Sequence, residues 1–83
     1  MNGTKMSKNF FFQMIEKRLY ELASEVETVK KDESMSFEEK LAQENILFGR
    51  LLELNSINFS ARDVDYWRYI ELEKKIKAVR DSI

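Results

Sequence analysis

Apolar residues recur along this chain at helical intervals from one end to the other. Phe12, Ile15, Leu19, Leu22, Val26 and Val29 follow at spacings of 3, 4, 3, 4 and 3, which aligns them along one side of a helix as an unbroken a/d seam. The seam predicts a first helix over about 9–31, capped by Ser7 or Asn9 and carrying Glu27 and Lys31 as an i,i+4 ion pair near its end. Residues 30–34 form a polar, charge-dense connection, and Ser36-Phe37-Glu38-Glu39 then has the S-x-x-E form of a capping box. A second helix is predicted over about 37–54. Phe37, Leu41, Phe48, Leu51 and Leu52 share about a third of its circumference and are its expected buried face.

Asn55-Ser56-Ile57-Asn58 has the composition of a turn. Ser60 with Asp63 makes a second capping arrangement, with Phe59 and Val64 placed as a hydrophobic staple. A third helix is therefore predicted over about 61–82. Its seam is Tyr69, Leu72, Ile76, Val79 and Ile83 at spacings of 3, 4, 3 and 4. Asp65 lies one step earlier in the same register, where the first-turn dipole favours an acid. Glu71–Lys75 and Glu73–Lys77 are the expected ion pairs on its outer side.

The chain has no Pro and only two glycines, Gly3 and Gly49, so nothing breaks the helical periodicity. Short connections make consecutive helices antiparallel neighbours, and the fold class that follows is all-α: a three-helix up-down-up bundle. Residues 9–83 form its single domain and residues 1–8 a flexible tail; the same seams also admit a dimer. Gly49 inside a helix costs about 1 kcal/mol against Ala, which suits either a close helix approach or a tolerated surface position.

Composition narrows the chemistry. With neither His nor Cys, the chain lacks the side chains of Ser-His-Asp and Cys-His centres and of His- or Cys-ligated zinc sites. Carboxylates alone remain, and their helical phases do not converge: Glu21 and Glu25 point outward and Glu38 and Glu39 are explained by capping. No enzyme activity, metal or cofactor is expected. The apolar run after Lys8 is interrupted by Gln13 and is too short for a signal peptide or a membrane span. A Cys-free chain of this kind suits the cytoplasm.

The 14 basic and 15 acidic residues give a net charge of −1, which argues against general affinity for nucleic acid. The bases of the third helix scatter around its circumference among acids, as on a solvated face. The acids concentrate in the middle of the chain, where Glu21, Glu25, Asp32, Glu33 and Glu38 form a candidate secondary acidic surface. Interspersed lysines weaken its likeness to nucleic acid.

In an up-down-up bundle the first and third helices run parallel. That brings Phe10, Phe11 and Phe12 to the same end as Phe59, Tyr66, Trp67 and Tyr69. Phe10 and Met14 lie off the first seam, and Tyr66, Trp67 and Ile70 lie off the third, so these five are the candidate partner-binding residues. A broad apolar arc serving two neighbours is the competing explanation. Glu44 and Asn45 interrupt the expected apolar arc of the second helix. There Glu44 either reaches the rim or pairs with an Arg, within the chain or across an interface.

The function expected from small size, missing catalytic residues and surplus aromatics is that of a protein-binding module: a regulator, adaptor or inhibitor of a larger protein. Size and composition suit a bacterial or phage-encoded inhibitor. The alternatives are a self-assembling helical subunit and, behind it, a nucleic-acid binder or acidic mimic.

Overall fold

The computed structural model describes the backbone of residues 2–83 and the side chains of residues 9–83. Three helices, α1 (Asn2–Lys31), α2 (Phe37–Ser60) and α3 (Tyr66–Asp81), form an up-down-up bundle in which every pair of helices packs together. The molecule is a rod of 52 × 19 × 15 Å.

The first and third seams are buried as the spacing predicts. Phe12, Ile15, Leu19, Leu22, Val26 and Val29 from α1 meet Tyr69, Leu72 and Ile76 from α3, with Val79 and Ile83 half-buried at the far end. The start of α2 also matches. Ser36 Oγ accepts from the Glu39 amide at 3.1 Å while Glu39 Oε1 accepts from the Ser36 amide at 2.8 Å, which completes the capping box. Before it, Asp32 Oδ1 accepts from the amide and hydroxyl of Ser34, at 2.9 and 2.5 Å. Lys40 Nζ donates to the Lys30 carbonyl at 3.1 Å and Lys30 Nζ to that of Ser82, so this end of the bundle is tied across all three chain segments.

The buried face of α2 differs from the expected one. Leu47, Leu51, Leu54 and Asn58 face the core, continued by Ala61 just past the helix, whereas Phe37 is 79 % exposed and Leu41, Phe48 and Leu52 are exposed as well. Of the expected face only Leu51 is buried. Two apolar stripes at heptad spacing run along α2, about 100° apart, and the richer in aromatics is the outer one. The inner one wins because it can continue: α2 does not stop at Leu54 but runs to Ser60, which carries the 4, 3, 4, 3 spacing from Leu47 through Asn58 to Ala61. Glu44 is half-buried at the flank of this inner stripe.

The second connection is displaced accordingly. Asn55 to Asn58 are helical, Ser60 Oγ donates to the Ile57 carbonyl at 2.6 Å, and the turn spans residues 61–64. Asp65, not Ser60, is the N-cap of α3: its Oδ1 accepts from the Arg68 amide at 3.2 Å. The staple is absent, since Phe59 packs on Tyr69 and Val64 is exposed. Ser60 and Asp65 are both competent caps; only the second leaves α2 long enough to bury Asn58. At the other end of the chain α1 begins at Asn2, so residues 2–8, expected as a tail, continue the helix, and Ser7 and Asn9 lie within it. A Cβ at Gly49 would meet nothing within 4 Å, so no close helix approach occurs there within the chain.

Two polar features join α3 to its neighbours. Glu16 on α1 accepts from Lys75 Nζ at 3.0 Å and from Arg68 Nη2 at 3.2 Å, and Arg68 also pairs with Glu71 at 2.8 Å. Lys75 therefore turns inward to Glu16 instead of forming the expected pair with Glu71, and Glu73 accepts from the Tyr69 hydroxyl at 2.7 Å. The Lys75 hydrogen bond, reinforced by Arg68, outweighs burial and holds the Glu16 carboxyl below its ordinary 4.5. A depressed native pKa contributes stability that is present above the unfolded value and lost as pH falls through the native one. Glu16→Gln is expected to cost about 1 kcal/mol at pH 7, these side chains being partly solvated, and progressively less as pH falls from about 4.5. Urea midpoints of both proteins at pH 7 and pH 3 check this.

Asn58 is the other feature. Its side chain is 0 % exposed, its Nδ2 donates to the Tyr69 carbonyl at 3.1 Å, and its Oδ1 is buried without a hydrogen-bond partner.

Candidate protein-contact surface

The end of the bundle where α1 starts, α2 stops and α3 starts is built from aromatic rings. Phe11 meets Phe12 edge-on at 5.6 Å, and Phe59 meets Tyr69 at 6.1 Å. Tyr66 contacts Tyr69 at 6.0 Å and Trp67 at 5.7 Å. The Arg62 guanidinium lies over the Phe59 ring, 4.1 Å from its centroid. Phe12 and Tyr69 close the core from this end, and the remaining rings stack outward on them.

Trp67 is 78 % exposed and Tyr66 is exposed beside it, so neither belongs to a widened core. Ile70 is half-buried. The reason is helical phase: Tyr69 follows Trp67 by two residues, about 200° round α3, and Tyr69 points inward. No known protein family, curated protein or solved structure matches this chain. Its own geometry is therefore the guide to its function.

Phe10 and Met14 are exposed too, but they occupy another side of the same pole. Met14 helps line a shallow, almost wholly apolar hollow of about 250 Å³ between α1 and α2, with Phe11, Ile15, Arg18, Leu54 and Ile57. It is about 200° round α1 from Glu16, which faces α3. The five sequence-predicted residues thus form two patches: Phe10 with Met14 toward α2, and Tyr66, Trp67 and Ile70 at the start of α3.

The expected acidic surface is laced with cations. Glu21 pairs with Arg18 at 3.4 Å and Glu25 with Arg50 at 3.9 Å. Asp32 is engaged in the turn with Ser34, and of the five expected acids Glu33 and Glu38 are exposed at that end. No helix among the described residues is long and apolar enough to cross a membrane.

Sequence reasoning missed one surface altogether. The stripe of α2 expected in the core, together with Phe59, is solvent-facing. The signal was present as a second heptad-spaced series in the same helix, but a series of that kind is read as core unless a better one competes with it.

Proposed function

We propose that this protein is a small protein-binding module, a regulator, adaptor or inhibitor that acts without catalysis by docking its aromatic pole on a larger protein in the cytoplasm. The observation that carries the proposal is Trp67, a large ring held 78 % exposed on a rigid helix with Tyr66 against its edge. A Trp fixed in this way loses little conformational freedom on binding and offers the kind of anchor that dominates interface energies. Tyr66 packs on the buried Tyr69 and Trp67 packs on Tyr66, so the surface is pre-organised. Phe10 and Met14 offer a second apolar patch on another side of the same pole. Dispersed charge and a net charge of −1 speak for a protein partner over nucleic acid.

Because Trp67 makes so little burial within the chain, Trp67→Ala is expected to change stability by no more than about 0.5 kcal/mol. It should weaken partner binding by at least about tenfold. Affinity capture from the native host with wild type and variant in parallel, alongside thermal melts, reads both quantities. A partner held equally by the two proteins would overturn the assignment of the pole, and so would a variant that unfolds.

A further inference from the structure

From residue 41 to residue 59, the outer side of α2 carries no charge on a chain that is 35 % charged. Leu41, Ala42, Asn45, Phe48, Gly49, Leu52, Asn55, Ser56 and Phe59 occupy an arc of about 140°. All are exposed except Asn55, which is half-buried. The three charges of this stretch lie outside that arc: Arg50 pairs with Glu25 on α1, Glu44 flanks the inner stripe, and Glu53 is exposed about 20° beyond the edge formed by Ala42. A long uncharged face on a surface helix is covered by something.

The order of residues along the face indicates what covers it. Leu41, Asn45, Phe48, Leu52, Asn55 and Phe59 follow at 4, 3, 4, 3 and 4, the spacing of a coiled-coil seam. The series is also palindromic about residue 50. Run against a second copy, Leu41 falls opposite Phe59, Asn45 opposite Asn55, and Phe48 opposite Leu52. Each apolar residue meets an apolar one and each Asn an Asn.

We propose that two copies of this chain pair antiparallel through the outer face of α2, about a two-fold axis at residue 50. Such an interface is isologous and closed. The facing Asn pairs set its register: a slip of one heptad in either direction puts Asn against Phe or Leu and leaves an amide buried without a partner. Ala42, Gly49 and Ser56, spaced by seven along one edge of the face, let the two helices approach closely. At Gly49 the space a Cβ would fill is open, which gives that glycine a use the single chain does not. The seam is about 27 Å long, and such a helix pair buries on the order of 1,000 Å², the lower range for specific association, so the dimer is concentration-dependent. The face shares Phe59 with the aromatic pole but contains neither Tyr66 nor Trp67, so the pairing stands or falls without the partner contact proposed there.

Sedimentation of the full chain from about 10 µM to about 1 mM, a range suited to an interface of this size, is expected to show conversion to twice the 9.9 kDa chain mass. Phe48→Glu, a change at an exposed site, is expected to keep the helical circular dichroism while weakening dimerisation about a hundredfold, because it buries an unpaired carboxylate in each copy. A second variant is independent of charge and of any effect on folding. Gly49→Cys supplies the chain's only thiol, next to the two-fold axis, and is expected to form a disulfide-linked dimer under mild oxidation, whereas Lys74→Cys on α3 is not. A chain that stays monomeric throughout the range overturns the proposal. So does a dimer that survives Phe48→Glu, or one that links through position 74 and not 49.

Discussion

Leu51→Ala should cost this protein about 3 kcal/mol, whereas Leu52→Ala, one residue along, should cost less than about 1 kcal/mol. Leu51 is 0 % exposed at the centre of the inner stripe of α2, and the cavity left by its truncation would lie among α1 and α3 side chains that cannot collapse onto it. In an 83-residue chain whose whole stability is of the order of 5–10 kcal/mol, that loss lowers the melting temperature by about 15 °C. Leu52 is exposed, so its truncation removes little buried surface. Urea titrations with unchanged slopes, in dilute protein where self-association contributes nothing, measure both. Equal costs, or a larger one at Leu52, would mean that α2 buries its outer stripe.

Asn58→Asp carries the second large effect, and its penalty grows with pH as that of Glu16→Gln does, but for the opposite reason: a harmful carboxylate is gained where Glu16→Gln loses a useful one. The substitution is isosteric, but it replaces the amide that donates to the Tyr69 carbonyl with a group that, when ionised, only accepts. A buried carboxylate facing that carbonyl costs about 3–5 kcal/mol. Burial raises the native pKa of the new carboxyl above its ordinary value of about 3.9. The native state therefore holds its proton longer than the unfolded chain does. The penalty is absent below about pH 4 and grows as pH rises toward the raised native value. When protonated, the hydroxyl can donate to Tyr69 in place of the lost amide. The variant should unfold at much lower urea than wild type at pH 7 and approach it at pH 4. A small penalty that does not change with pH would show that this side chain reaches water, contrary to its packing against α3.

These substitutions probe the part of the structure that local pattern left ambiguous. The seams of α1 and α3 were legible because each helix holds a single apolar series at 3 and 4 spacing, and a helix with one such series has one way to bury it. The capping box at Ser36 was legible because both of its hydrogen bonds lie within four residues. Trp67 was legible as a surface candidate from its phase against Tyr69, although its degree of exposure was not. Phe10 and Met14 were correctly placed off the α1 seam, but their separation from the Tyr66–Trp67 patch depends on which side of α1 faces which neighbour, a relation between helices that no local spacing contains.

Helical class, helix number, up-down-up order and two of the three buried faces are determined by the sequence alone, because periodicity, caps and short connections act within a few residues. The face of α2 and the start of α3 were decided in the tertiary structure. Two apolar stripes compete along α2, and two competent caps, Ser60 and Asp65, follow it. The choice rests on a contact between residues eleven apart, the amide of Asn58 against the carbonyl of Tyr69, which is satisfied only if α2 runs on to Ser60 and turns its leucines, not its phenylalanines, toward the core. The phenylalanine stripe left outside by that choice is the surface to which the dimer is assigned.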